Sequence, residues 1–246
     1  MNYYTYIHMY NQSISHFIII FSVYSFRNIW FYSKIKEIRW LAIGSIMKSI
    51  QKERRSTMII TIARESGSGG YTVGAMLAKH YSIPIYDRDS LSGLAREQGI
   101  YDTMPMFFDE LPAQGFLLAL SMGASVKQIN KPTAEAMMKL IGHQDCVIIG
   151  RCGNHIFRNR KDCVSIFTHG DKEARIAYKM KHWNFSRKEA EDIVFHSDQN
   201  RKDYHKFHTG ENWGEAKYYD LCIDTIRLGH ENAAKLVIQY ISTVLA

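Results

Sequence analysis

Residues 58–72 constrain this chain more than any other stretch. Met58-Ile-Ile-Thr-Ile62 is a short, β-branched, apolar run of buried-strand character. Ala63-Arg-Glu-Ser-Gly-Ser-Gly-Gly-Tyr-Thr72 follows without a break, and between Tyr71 and Tyr81 the residues Val73, Leu77 and Ala78 recur at helical spacing. A strand that passes through a glycine-rich turn straight into a helix brings backbone N–H groups and the positive end of the helix dipole to one point, which suits phosphate. Against the pattern G-x-x-x-x-G-K-[ST], Arg64 stands at the first glycine, Gly70 at the lysine and Tyr71 at the hydroxyl residue. Thr72, one place later, offers a hydroxyl to Mg²⁺. Arg64 can lay its guanidinium across phosphate oxygens or pair with Glu65, and the residues alone leave both open. A Cβ at Gly69 is expected to intrude where phosphate approaches.

The rest of the chain after Met58 alternates in the same manner. Ile83-Pro-Ile-Tyr86, Cys146-Val-Ile-Ile149, Cys163-Val-Ser-Ile-Phe167 and Tyr219-Asp-Leu-Cys-Ile-Asp224 read as four further strands, making about five. Residues 90–143, rich in Met, Leu and Ala, read as helical. Asp171 opens a helix through His182, Ser186 and Glu189 form a capping box for the next, and a closing helix runs from about Glu231 to Val244. Strands alternating with helices imply an α/β fold with a parallel sheet covered on both faces, and ligands then gather at the carboxyl ends of the strands. Arg151, directly after a buried strand, therefore reads as functional.

Charge divides the chain at the same place. Residues 1–57 hold eight Lys or Arg against Glu37 and Glu53, which is +6 of the total +7. The near-neutral remainder argues against a nucleic-acid partner. The first 50 residues also hold twelve aromatics, and their apolar run Phe17 to Tyr24 falls short of the roughly 20 residues a membrane-spanning helix needs. No charge precedes that run and no small-residue cleavage site follows it, which disfavours a secretory signal. The stretch reads as a flexible or interfacial leader, a weak membrane anchor, or upstream sequence that is not translated; the last is favoured, since Met58 stands at the first strand and Met47 offers another start. Four cysteines without CxxC spacing, Cys146 and Cys222 in apolar runs, suggest reduced core thiols in a cytoplasm. His205 and His208 read as a solvated helix face and not as metal ligands.

From Met58 onward the chain resembles the cytidylate kinase-like family, relatives of cytidylate kinase among the P-loop nucleoside monophosphate kinases. Arg64, Glu65, Gly67, Ser68, Gly69 and Gly70 match the family's lysine-free phosphate loop, while Ala63 and Ser66 depart from it. Pro84-Ile-Tyr-Asp-Arg88 is similar to the family strand whose Asp begins the acceptor site, and Val147-Ile-Ile-Gly-Arg-Cys-Gly153 to the segment whose arginine reaches the acceptor nucleotide, with Cys152 in place of Asp or Gly. Asp198-Gln-Asn-Arg201 resembles the Asp-x-x-Arg of the mobile lid, and Trp213 with Tyr219-Asp220-Leu221 the closing strand. The resemblance implies a three-layer P-loop fold with a helical acceptor-binding insertion and a helical lid near 183–212. It implies ATP and Mg²⁺ as cofactors, with Gly67, Ser68, Gly69, Gly70, Tyr71 and Thr72 on the nucleoside triphosphate and Thr72 on the metal. Asp87, Arg88, Arg151 and Asp198 then meet a small-molecule acceptor such as CMP, and Arg64, Arg151 and Arg201 are catalytic. Asp87 reads equally as a helix N-terminal charge, and Arg175 as a solvated helix face in preference to a phosphate ligand. Loss of the loop lysine favours a catalytically silent nucleotide-binding module; the retained arginines and Asp198 favour a kinase.

A chain beginning at Met58 is expected to be soluble and to unfold in one cooperative urea transition; an unfolded fragment beside a folded full-length chain would refute that boundary.

Overall fold

The computed structural model describes residues 57–103, 105–108, 126–142 and 144–245. Five parallel strands form one sheet: β1 (Ile59–Arg64), β2 (Ile85–Tyr86), β3 (Cys146–Ile149), β4 (Cys163–His169) and β5 (Leu221–Asp224), in the order β2-β3-β1-β4-β5. β1 lies at the centre, pairing Ile59 with Cys146 on one edge and with Cys163 on the other. The second strand is shorter than its apolar run suggests, and the fifth begins at Leu221, because a 3₁₀ turn at Ala216–Tyr218 precedes it.

Alternation along β1 distributes its side chains between two cores. Ile60 and Ile62 join Val73 and Leu77 of α1 (Gly70–Tyr81) and Ala233, Val237 and Ile241 of the closing helix (His230–Val244). Ile59 faces the opposite layer. There it meets Leu91 of α2 (Arg88–Glu97), Phe107 and Phe108 of α3 (Pro105–Phe108), and Met137 and Ile141 of α4 (Val126–Ile141). These three helices and a 3₁₀ turn at Tyr101–Thr103 are the described parts of the helical region expected over 90–143; residues 104, 109–125 and 143 lie outside the described set, as do residues 1–56 of the leader expected over 1–57. Thr57 is tied to the fold, its hydroxyl donating to Asp162 and accepting from Arg160 at 3.0 Å.

Two longer helices follow β4, and the second spans most of the region expected as a lid near 183–212. α6 (Lys172–Trp183) follows the short α5 (Gly153–Ile156) and is capped by the Asp171 carboxylate, which accepts from Ala174 N. α7 (Arg187–Thr209) carries the expected Ser186–Glu189 capping box and ends at Gly210. A last short helix, α8 (Thr225–Leu228), precedes the closing helix, α9. Of the two cysteines expected in the core, Cys146 is buried and burial pushes its thiol up to about 12, whereas Cys222 is exposed because it faces outward from the edge strand.

Ile62 is fully buried on the central strand, so Ile62→Ala should cost about 2–5 kcal/mol, read as a lower urea midpoint at unchanged slope.

Candidate active site

The glycine-rich turn leaves β1 at the middle of the sheet and is anchored from behind. Glu65 N donates to Thr168 O at 2.9 Å, the Ser68 hydroxyl donates to Glu65 O at 2.8 Å, and the Thr225 hydroxyl donates to Ser68 O at 2.6 Å. Ser68 is fully buried, its hydroxyl also shares a 2.9 Å hydrogen bond with Thr168 and its backbone N–H donates to Glu65 O at 3.2 Å, so the residue expected on the triphosphate is committed to the fold. Gly69 caps α1 with a φ of 76°, and a Cβ on it would overlap the His230 ring. A larger residue there would thus meet a protein side chain, whatever the approach of phosphate that the sequence suggested. No acidic residue occupies the first turn of α1, which leaves the positive end of its dipole unopposed. Tyr71 is exposed and Thr72 half-buried beside it.

Arg175 corrects the expectation of a solvated helix face: it is 6% exposed and fastens the lid to the turn. Its Nη1 donates to Ser66 O at 2.9 Å and to Asp198 Oδ2 at 2.7 Å; its Nε donates to Gly170 O at 3.0 Å and lies 3.2 Å from Glu65 Oε2. Asp198 accepts from Ser66 N at 2.6 Å with its other oxygen. The carboxylate expected on the acceptor is therefore committed to the loop, because a nearly buried charge requires a cation and an N–H partner.

Four of the five arginines that the sequence singled out converge elsewhere. Arg64, Arg88, Arg151 and Arg201 line one cavity at the carboxyl ends of β1 and β3, with Thr61, Asn154, Tyr204 and His205 among its walls and no carboxylate among its described lining residues. Arg151 is 5% exposed, donates to Phe107 O at 2.6 Å and rests over the Tyr204 ring at 4.8 Å, while the Tyr204 hydroxyl donates to the same carbonyl at 2.8 Å. Arg201 donates to Arg64 O at 3.3 Å. Arg88 pairs with Asp89 at 2.7 Å at the rim. Asp87 is the N-cap of α2, accepting from Ser90 N at 3.0 Å and from the Ser90 hydroxyl at 2.7 Å. Burial raises the Asp87 pKa, but these hydrogen bonds outweigh it and hold the carboxyl below its usual range. Of its two readings, the helix-terminal charge is the one observed. Thr61 and Tyr204 escaped sequence reasoning, and His205 entered it only as part of a solvated helix face; spacing from Arg201 at i+3 and i+4 along one helix would have placed the last two at the cavity.

His205 and His208 are 3% and 4% exposed, which overturns the solvated-face expectation. They belong to the inward face of α7: His208 meets the Phe107 and Tyr204 rings at 5.4 and 4.3 Å, and His205 Nε2 stands 3.9 Å from Glu211, beyond hydrogen-bond reach. Burial lowers the His205 pKa to about 4, against the attraction of Glu211. Burial, aided by the Arg151 charge, lowers that of His208 to about 3. Both are neutral at pH 7.

With this geometry in place, comparison with known proteins is decisive at one level. The pattern of the cytidylate kinase-like family matches residues 59–227. The chain belongs to the cytidylate kinase-like family. Among solved structures, this family member is similar to an uncharacterized protein from Eubacterium ventriosum, with 30% identity over 76% of this chain and 99% of that one and a TM-score of 0.60. A gluconokinase from Sinorhizobium meliloti (14% identity, 77% and 99% covered, TM-score 0.40) and a shikimate kinase from Acinetobacter baumannii in complex with shikimate (14%, 78% and 97%, 0.41) also align. None of the curated proteins matches. The fold is the α/β P-loop fold of kinases, and among the described residues no helix is long and apolar enough to cross a membrane.

The two buried histidines give this member of the family a specific acid response. Unfolded, each takes a proton near pH 6.5; folded, neither does until about 4 or 3, so stability is full above pH 6.5 and falls as pH drops through it. Between pH 7 and 5 the loss should be about 1–2 kcal/mol per histidine in urea titrations, and His208→Leu should flatten the slope. Equal stability of the wild type at both pH values would refute their buried, neutral state.

Proposed function

We propose that this protein transfers a phosphoryl group from ATP, with Mg²⁺, to a small phosphorylated acceptor, in the first instance a nucleoside monophosphate such as CMP. The observation that carries this reading is the four-arginine cavity beside the glycine turn. Phosphoryl transfer asks a protein mainly to align donor and acceptor and to neutralise charge on the equatorial oxygens, and arginines do both. In this scheme the backbone N–H groups of Gly67, Gly69, Gly70, Tyr71 and Thr72 cradle the triphosphate at the start of α1. Arg151, oriented by Phe107 O and the Tyr204 ring, grips the acceptor phosphate. Arg64 and Arg201 stand between the two and screen the charge that would otherwise repel them.

Mg²⁺ fits as a companion of the triphosphate. Among the described residues no group of three or more His, Cys, Asp or Glu is placed to hold a metal, while the Thr72 hydroxyl stands in the first turn of α1. A metal held by phosphate oxygens, water and one hydroxyl suits Mg²⁺, which keeps several waters. When bound, it supplies Lewis-acid polarisation of the phosphates. The buried thiols of Cys146 and Cys152 suit a reducing compartment, the cytoplasm, and the near-neutral domain has no call for nucleic acid or membrane.

Gly70 at the lysine position favours a second reading, a nucleotide-binding regulatory module without turnover. A coupled assay of ATP consumption over a panel of nucleoside monophosphates separates the two, since turnover with any of them excludes the silent module. Arg151→Ala should weaken acceptor binding by roughly tenfold or more, while triphosphate affinity changes little. Calorimetric titration of each ligand decides it: equal losses for both would mark Arg151 as structural.

A further inference from the structure

We infer that Arg64 and Gly70 have exchanged the side chains of the standard phosphate loop, so that the loop's cation comes from the end of β1 and not from the first turn of α1. In G-x-x-x-x-G-K-[ST] the first position has no side chain and the seventh carries the ammonium that reaches the phosphates. Here the first is Arg64 and the seventh is Gly70. The two touch. A Cβ added at Gly70 would lie 3.0 Å from Arg64 Cγ, and 2.5 Å from Arg64 Cβ and 2.6 Å from the Thr168 hydroxyl, the last two being distances that real Cβ atoms do not show. Thr168 cannot yield, because it is fully buried and hydrogen-bonded to Ser68. The space a side chain at 70 would need is therefore filled by the stem of Arg64 together with the Thr168 hydroxyl, so Arg64 in this place is compatible only with glycine at 70.

The far end of Arg64 is placed in the same way. Its guanidinium passes over Gly150, where an added Cβ would overlap Nη1 and lie 3.5 Å from Cζ. Arg64 thus occupies a slot between two glycines, one from the phosphate turn and one from the turn after β3, and emerges among the arginines of the cavity. A lysine rising from α1 is a point charge on the donor alone. A guanidinium delivered from the strand end presents a planar fork that can bridge oxygens of donor and acceptor. On this account the loop has moved its cation and not lost it, and the exchange rests on reading the turn as a phosphate site.

Calorimetric binding of inorganic tripolyphosphate with Mg²⁺ to the full chain tests the exchange, beside ATP turnover with nucleoside monophosphates. Arg64→Met should weaken tripolyphosphate roughly tenfold to a hundredfold. Gly70→Lys alone should weaken it too, by dislodging Arg64, and Arg64→Gly combined with Gly70→Lys and Thr168→Ala, which returns the glycine and the lysine to their standard places and clears the room a side chain at 70 needs, should recover most of the loss. Circular dichroism identifies any unfolded variant; if Arg64→Met is one, Arg64→Lys, which keeps the charge but not the fork, should show an intermediate loss. Unchanged affinity in folded Arg64→Met, or a folded triple variant no better than Arg64→Gly with Thr168→Ala, would overturn the inference. Arg64-dependent binding by a wild type that turns over no acceptor would remove the transferase reading and leave the exchange standing, whereas a wild type that does not bind tripolyphosphate overturns both.

Discussion

The central place of β1 is the constraint on which the rest depends. Hydrogen-bonded on both edges and buried on both faces, Ile59–Arg64 has no freedom of register, since a one-residue slip would exchange Ile60 and Ile62 with Thr61 between the two cores. The chain leaves this strand at the middle of the sheet, between a crossover that runs to β2 on one side and one that reaches β4 on the other. Such a point of reversal opens a crevice at the carboxyl edge. The glycine turn and Arg64 are thereby delivered to the same spot by one rigid element.

The turn is held by charge as well as by the sheet. Arg175 and Asp198 come from different helices, and each spends its polar atoms on the backbone of the turn as well as on the other. A nearly dry ion pair contributes little net stability, because desolvation offsets most of the Coulomb attraction, yet losing one partner strands the other. Its consequence is geometric: the middle of α7 is bolted to the turn, so the helix that carries Arg201 and Tyr204 toward the cavity is fixed to the loop that would hold the donor.

Strain accompanies the other half of the cavity. Gly150, Arg151 and Cys152 occupy the left-handed region in succession, and two of them carry side chains that disfavour it, at about 1–3 kcal/mol each. Burial of Cys152, the hydrogen bond from Arg151 to Phe107 and the contact with Tyr204 over-determine this turn. The bend turns a guanidinium inward from a strand end that would otherwise carry it past the sheet.

How far residues alone reach differs between these parts. Strand and helix periodicity in Met58–Tyr81, the capping residues Asp171 and Ser186, and the order of turns were legible because they express local chemistry: side-chain alternation, helical spacing and the needs of orphan N–H groups. The sheet class, the glycine turn between β1 and α1 and the place of Arg64 and Arg151 at strand ends follow from that order, and the sequence by itself determined them. It could not determine which polar residue faces which neighbour. Arg175 and His208 look like surface residues in the chain because burial is set by what packs against a helix, and those partners, Ser66, Asp198 and Phe107 among them, come from other segments of the chain. Only the tertiary structure decided that Asp198 serves the loop, that Asp87 caps a helix, and that the glycine at the lysine position is filled by an arginine from six residues earlier. Each is a matter of contact in space, and contact between distant segments is settled by the packing of the whole sheet and its helices, to which no single stretch of residues has access.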